Sequence, residues 1–337
     1  MTDDIPVIPC TPLKSGTASV VALILNWNLW EMTIECIESL EKSDFGRLGI
    51  LVVDNGSDND SAQRIQKYIE SISRQKGRGA VGSVVFLRSE ENLGYSGGNN
   101  LGMRTILSGV PPDFILLLNN DVVVAPDAVR LLLEHAVVNE DFVFLGPKIL
   151  FYDNPSRIQT KGVMLSKNIL SIHHVGFGDS DRPDDAGVIE VDALYGACLL
   201  VRTRCLKELG GLDEVFRFYS EDIEWCMRAS RRGLKAGCVP SARVWHRSEA
   251  STRRFGAYMR YHNGRGRAIV LRRYASPPMT LASLVLWLPR ELGRIVHSDR
   301  SVSPAIWYMR GLLSAYLEDV NDPARGSARL LPETVGE

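Results

Sequence analysis

The chain reads as an α/β protein with a Rossmann-like, mostly parallel central sheet flanked by helices and a C-terminal helical extension. Three observations predict this. From Val20 to Asp121, short runs rich in Val, Ile and Leu alternate with stretches of helical spacing, the pattern of right-handed βαβ units. The apolar runs of that stretch break off in Asn, Asp or Glu. From Phe255 to about Leu317 the spacing is helical, punctuated by Pro277, Pro278 and Pro289.

In order, VVALILNW predicts the first strand, and a periodic stretch from Trp30 to Glu41 the first helix. GILVVDNGS is the second strand and a polar helix follows through Tyr68. SVVFLRSE, the helix-like NNLGMRTILSG and the strand FILLLNND complete the series. Parallel strands share direction, so their polar ends collect along one edge: Asn26 and Asn28, Asp54 to Ser57, Glu91 and Asn92, and Asn119 to Asp121. That edge is the predicted nucleotide site. Residues 142–201 change character, with FVFLGPKILF, a loop around FGDSDRPDDAG and the apolar VDALYGACLLV. They read as a sheet extension plus a substrate-side loop.

Composition narrows the classes. The 337 residues are 45% hydrophobic and 23% charged, with 39 Lys and Arg against 40 Asp and Glu. A net charge of -1 gives no general attraction for nucleic acid. The six cysteines form no CxxC pair and no zinc-type spacing with His, and free thiols suit a reducing cytoplasm. Residues 1–18 read as a flexible leader without signal-peptide character, and 321–337 as a polar tail. No apolar run reaches the ~20 residues that cross a bilayer.

The candidate chemistry begins with Asp121, an acid at the end of a buried strand, where it is costly unless it binds something. It is read as a ligand of Mg²⁺ or Mn²⁺ that also grips phosphate oxygens, an Asx turn being the structural alternative. Asp54 likewise ends a buried strand, and its carboxylate can accept the ring N–H of a pyrimidine. ENLGYSGGNNLG lacks the GxGxxG order of a dinucleotide fingerprint. Gly97 and Gly98 opening a helix would let the backbone approach a ligand, with amide contacts from Asn92 and Asn100; a close-packed helix entry is the alternative.

In FYSEDIEWCMRASRRG, Ser220 reads as an N-cap and Gly233 as the stop. Glu221 and Asp222 then sit in the first turn, where the helix dipole favours negative charge and keeps a general base ionised. His246 ends a short apolar strand in VPSARVWHRS, either as a structural histidine or as a ligand.

Taken together, LILNWN, VVDNGS, ENLGYSGGNN, LLLNND, YGACLLVRTRCLKELGGLDE, YSEDIEWCMRASRRG and VWH resemble, in order and spacing, the family 2 glycosyltransferases of the GT-A fold, particularly bacterial rhamnosyltransferase-like members. The resemblance covers about residues 19 to 275. It implies a catalytic domain over 19–252, with a nucleotide-binding half at 19–125, an acceptor half at 126–252 and a helical extension at 253–320. It further implies inverting transfer from a nucleoside-diphosphate sugar, such as dTDP-rhamnose or a UDP-sugar, to a hydroxyl of a cell-surface glycan or lipid-linked acceptor.

On this resemblance Asp54 reads the base, and Asn28, Asn92, Gly98, Asn100 and Asn120 line the nucleotide site. Asp121 and His246 hold the metal, Asp222 is the catalytic base, Glu221 shapes the acceptor pocket and Asp192 belongs to the sugar pocket. Asn119 and Asn120 stand where many members carry acids, which weakens the expected metal site. A sugar nucleotidyltransferase and a catalytically silent binding module are the competing readings; the first would want a basic phosphate loop where this chain has NWNLWE.

Nine arginines lie between Arg243 and Arg273, with Glu249 the only acid. They predict either a solvated helix face or a surface for anionic lipid headgroups. LASLVLWLPRELGRIVH, which follows, would lie on a membrane or pack on its own domain. The resulting expectation is a cytoplasmic protein, peripheral at the inner face of the cell membrane.

Overall fold

The computed structural model describes residues 18–74, 81–166, 168–183, 187–247 and 256–317. The expected leader, apart from Ala18, and the expected tail lie outside the described residues. The predicted series is present as β1 (Val20–Asn26), α1 (Trp30–Glu41), β2 (Leu48–Asn55), α2 (Ser61–Ser73), β3 (Val81–Ser89), α3 (Gly94–Ser108) and β4 (Phe114–Asn119). β1 lies between β2 and β4, with β3 outside β2, and all four run parallel. In register, Asn26 stands beside Asp54 and Leu25 beside Asn119, so the polar strand ends do meet along one edge.

The sheet then changes direction. After β5 (Val122–Val124) and α4 (Ala128–Val138) come β6 (Phe142–Phe151), β7 (Ile158–Thr160), the hairpin of β8 (Val163–Leu165) and β9 (Ile172–His174), and β10 (Ile189–Val191). β11 (Cys198–Arg202) inserts antiparallel between β4 and β6. A short α5 (Leu206–Leu209) and then α6 (Glu221–Ser230) lead to β12 (Lys235–His246), which runs parallel to β6. β5 folds back antiparallel on the end of β12, pairing Val122 with His246.

Alternation along the strands divides the core into two layers. Ala22, Ile24, Val52, Leu116 and Leu118 face α1, α2 and α4, whereas Leu23, Leu51, Val53, Ile115 and Leu117 face α3 and α6. Each large aliphatic side chain buried this way contributes about 1.5–3 kcal/mol. The two layers hold the strand ends rigid enough to carry a polar site.

The C-terminal extension comprises α7 (Gly256–Tyr274), α8 (Pro277–Ala282), a π-helical turn at 283–287, α9 (Leu288–Asp299) and α10 (Ser303–Leu317). α7 and α10 touch backbone to backbone: a Cβ at Gly264 would collide with Tyr308 O, and one at Gly311 with Tyr261 O. A third apolar cluster, including Phe216, Ile269, Leu271, Ile295 and Tyr308, joins the extension to the segment before α6.

Five of the arginines expected to face solvent or lipid, all on α7, turn inward instead, while Arg243 is exposed. Arg267 is buried, donates to the carbonyls of Ile169 and Leu170, and stacks over Trp287 at 4.5 Å. Arg265 donates to Val215 O, Arg272 to Ala315 O, and Arg273 pairs with Asp213 at 2.6 Å. Arg260 forms a bidentate pair with Asp299. Guanidinium groups with several donors suit this fastening of loops and helix ends. Arg253 and Arg254 lie outside the described residues.

Candidate active site

Asn26 organises the strand edge. Its Nδ2 donates to Asp54 Oδ2 at 2.7 Å and Ser57 Oγ at 3.3 Å, while its Oδ1 accepts from Thr33 Oγ1 at 2.8 Å and Asn120 Nδ2 at 3.2 Å. One fully buried amide thus ties together the ends of β1, β2 and β4. Asp54 is fully buried as well, accepting from Ser57 N at 3.1 Å and Ser57 Oγ at 2.6 Å, with Arg88 3.8 Å away. In this arrangement Asp54 braces the loop after β2. Asn28, with φ of 62°, receives Asp58 N–H on its Oδ1 and clasps the same loop.

Two residues expected to contact nucleotide have structural roles in the fold. A Cβ on Gly98 would stand 2.6 Å from Leu25 Cδ1 and 3.1 Å from Asn55 Cγ, so this glycine serves close packing of α3 on the sheet. Asn100 is fully buried and fastens α3 to the segment before α6: it donates to Leu212 O at 2.8 Å and Glu214 Oε1 at 2.9 Å, and accepts from Leu212 N at 3.0 Å. Asn92 remains at the edge, its Oδ1 accepting from Gly94 N at 2.8 Å and Asn55 Nδ2 at 3.3 Å.

A cleft opens along this edge in two lobes. The smaller is lined by Trp27, Asn55, Asn92 and Asn120; the larger, about 370 Å³, by His174, Tyr195, Glu221, Asp222 and His246. Tyr95, Asn119, Asp121 and Phe218 line both. Asp192 lines neither. It is exposed, and its Oδ2 accepts from Leu165 N at 2.6 Å.

Asp121 and His246 do come together. His246 Nε2 stands 3.3 Å from Asp121 Oδ1, and its Nδ1 is 2.9 Å from Gln159 Oε1. With Gln159 Oε1 as acceptor, Nδ1 carries the ring proton and Nε2 is the nitrogen presented to the carboxylate. The contact is close without hydrogen-bond geometry, and Asp121 Oδ1 is buried with no hydrogen-bond partner. An orphaned carboxylate oxygen beside an oriented imidazole nitrogen, both facing a cleft, fits a divalent cation. Among the described residues no third His, Cys, Asp or Glu joins them.

Asp222 lies in the first turn of α6 on the wall of the larger lobe. Its Oδ2 accepts from Gly196 N at 2.8 Å and its Oδ1 from Ile223 N at 2.8 Å. Tyr95, which donates its hydroxyl to Gly196 O at 2.7 Å, holds the same glycine from the other side. A Cβ at Gly196 would lie 3.0 Å from Tyr95 Oη and 3.3 Å from Asp222 Oδ2, leaving little room for any other residue.

Burial pushes the Asp222 carboxyl up, opposed by the amide donors of Gly196 and Ile223. It pushes Glu221 well above the carboxylate range, and the neighbouring Asp222 charge adds to the rise. Glu221 Oε2 is buried without a partner. The expectation that the helix dipole settles ionisation is therefore corrected: desolvation is the larger influence on both acids, and the amide donors of Gly196 and Ile223 favour the charged form of Asp222. Ser220 occupies the N-cap position without a side-chain cap, and both Tyr219 and Ser220 have positive φ, 67° and 71°. Such strain, of order 1–3 kcal/mol per residue, is typical of turns that aim functional groups.

Asn26, Tyr95, Gln159 and Gly196 were not selected from sequence. Asn26 carried the same signal as Asp121, a polar group ending a buried run. The other three act through partners far away along the chain.

Residues 18–267 match the model described as "Glycosyltransferase like family 2". The chain is 27% identical over 186 residues, 55% of its length, to the low-salt glycan biosynthesis hexosyltransferase Agl10 of Haloferax volcanii, and spans 59% of that relative. It is 28% identical over 233 residues to an N-acetylglucosaminyl-diphospho-decaprenol L-rhamnosyltransferase of Mycobacterium tuberculosis, covering 61% of this chain and 69% of that one. Among solved structures, GalNAc-T7 with UDP, GalNAc and Mn²⁺ aligns with a TM-score of 0.59 at 16% identity, over 89% of this chain and 57% of that one. The mannosyltransferase PcManGT of Pyrobaculum calidifontis, in complex with GDP-Man and Mn²⁺, aligns at 0.55 and 11% identity, over 94% and 90%. The shared architecture is the GT-A fold.

Proposed function

The chain belongs to glycosyltransferase family 2, and from that premise we propose an inverting, metal-dependent hexosyltransferase. It moves a sugar from a nucleoside-diphosphate sugar to a hydroxyl of a glycan or lipid-linked acceptor. One observation carries this reading: Asp121 lines both lobes of the cleft, while Asp222 lines the larger lobe alone. A donor laid along the strand edge would have its nucleoside at the smaller lobe, its diphosphate at Asp121 and its sugar in the larger lobe.

There the acceptor hydroxyl attacks the anomeric carbon. Asp222 takes its proton as the new glycosidic bond forms, and the nucleoside diphosphate leaves from the opposite face with the bonding electrons. Displacement from behind inverts the anomeric centre. The hydrogen bonds from Gly196 and Ile223 fix the carboxylate and favour its charged form, while burial pushes the neighbouring Glu221 carboxyl up. A divalent cation bound by Asp121 and His246 would neutralise charge developing on the leaving diphosphate. Two protein ligands leave most of its coordination to donor phosphate and water, so donor and metal should bind together.

The name of the Mycobacterium tuberculosis relative supports a rhamnosyl donor, which makes dTDP-rhamnose the first nucleotide sugar to test, with UDP-sugars second. It also supports a polyprenol-diphosphate sugar as acceptor. The test is transfer or hydrolysis by the purified chain across a panel of nucleotide sugars with Mn²⁺, with the product anomer read by NMR. Donor binding without hydrolysis or transfer would establish a silent binding module instead. Pyrophosphate exchange would establish a nucleotidyltransferase.

A further inference from the structure

The outward surface of α8 to α10 differs from the rest of the molecule. Among the described residues, nine of the sixteen exposed large hydrophobic side chains lie between Leu281 and Leu317. α10 packs Ala305, Tyr308, Leu312 and Ala315 inward and turns Ile306, Leu313 and Leu317 outward, with Val302 exposed just before its first turn. Leu281, Val285 and Leu286 extend the apolar surface along α8 and the π-helical turn. Single exposed apolar residues are ordinary on a protein surface, whereas a concentration of them on one terminal segment points to an interaction site.

Charge identifies the occupant. Between Ser276 and Leu317 the only acids are Glu291 and Asp299, and both are paired, with Arg294 and Arg260. Arg290, Arg300 and Arg310 are exposed on the same helices, and Arg310 sits over the Trp307 ring at 5.0 Å. An apolar face with Trp and Tyr, flanked by arginines and, among the described residues 276–317, lacking unpaired acid, matches the headgroup boundary of an anionic bilayer. A second copy would bring like charges together across the contact. No helix among the described residues is long and apolar enough to cross a membrane, so the surface would lie on the bilayer.

We propose that the outward face of α8 to α10 docks the protein on anionic lipid bilayers. The face lies one helix layer from the cleft: α10 crosses α7 at Gly264 and Gly311, and α7 lines the larger lobe with Met259 and Asn263. Docking there sets the acceptor side of the cleft near the lipid surface. The contact itself is independent of the transferase reading, because it is read from binding to lipid without any substrate.

The experiment is co-sedimentation of the full chain with phosphatidylcholine vesicles, with and without phosphatidylglycerol. Binding to the phosphatidylglycerol vesicles is expected, falling as salt rises. Combining Ile306→Ser with Leu313→Ser should lower partitioning about tenfold or more while leaving the melting temperature unchanged, since both side chains are exposed. Arg290→Gln with Arg310→Gln should remove the preference for phosphatidylglycerol. Wild-type protein that ignores both vesicles would overturn the proposal, as would a serine variant that binds as well as wild type. A wild-type dimer in light scattering that the serine variant converts to monomer would assign the face to a second copy instead.

Discussion

Asp121 Oδ1 and His246 Nε2 stand 3.3 Å apart although one ends the first half of the fold and the other ends β12. The antiparallel pairing of β5 with β12 sets them side by side, and Gln159 fixes the imidazole. Asp121→Ala and His246→Ala should each abolish the part of donor affinity that depends on Mn²⁺. Gln159→Leu should weaken it about 10–100-fold by freeing the ring. Calorimetry with and without Mn²⁺ measures this, and metal-independent binding by the wild type would refute the assignment.

Asp222→Asn should retain donor binding and lower transfer about 10²–10⁴-fold, the usual effect of removing a general base. The amide keeps the size of the side chain and one acceptor oxygen, so loss of folding is not expected. Turnover close to wild type in a sugar-nucleotide assay would exclude Asp222 as the base.

Glu221→Gln tests the division of charge between the two acids. Burial and the Asp222 charge push the Glu221 carboxyl up, so a neutral amide should replace it with transfer staying within about tenfold of wild type. Stability carries a second signature. The unfolded carboxyl releases its proton near pH 4, while the buried one holds it well above, so this contribution is complete at acid pH and is lost as pH rises. The variant should therefore gain melting temperature over wild type as pH is raised from about 5 to about 8. A gap that shrinks with rising pH would contradict the raised value.

Gly98→Ala distinguishes packing from ligand approach. The added methyl meets Leu25 and Asn55, and overpacking of this kind costs about 1–3 kcal/mol. Urea denaturation should show the loss, with donor affinity of the folded protein unchanged. Normal stability with lost affinity would restore the ligand role.

Asn26→Ala removes the amide shared by Thr33, Asp54, Ser57 and Asn120. Leaving those buried groups short of partners should cost about 1–3 kcal/mol or more and weaken nucleotide binding by loosening the strand edge. Thermal melts with and without nucleoside diphosphate would show both effects; an unchanged melt would deny Asn26 its organising role.

The parallel strands and the edge on which their polar ends collect were legible because both follow from local patterning. Apolar runs of strand length, helical spacing between them and a polar residue at each run's end are properties of a few neighbouring residues. The resemblance in ordered motifs then pointed to the acids at 121 and 222 without any coordinates. Asn100 and Gly98 looked like ligand contacts for the same local reason, a polar or flexible residue near a predicted ligand edge. The contacts they make in the fold, with Leu212 and Leu25, depend on segments distant in sequence.

By itself, then, the sequence determined the α/β class, the order of strands and helices through Asp121 and the chemical types gathered at the strand edge. Tertiary structure alone decided that Asp121 meets His246, that Asp222 is held by Gly196 and Tyr95, and that Arg267 and Arg273 fasten the extension while apolar residues of α8 to α10 face outward. Secondary structure depends on spacing within one segment. Which face a helix buries, and which carboxyl keeps its proton, depend on segments that meet only when the chain has folded.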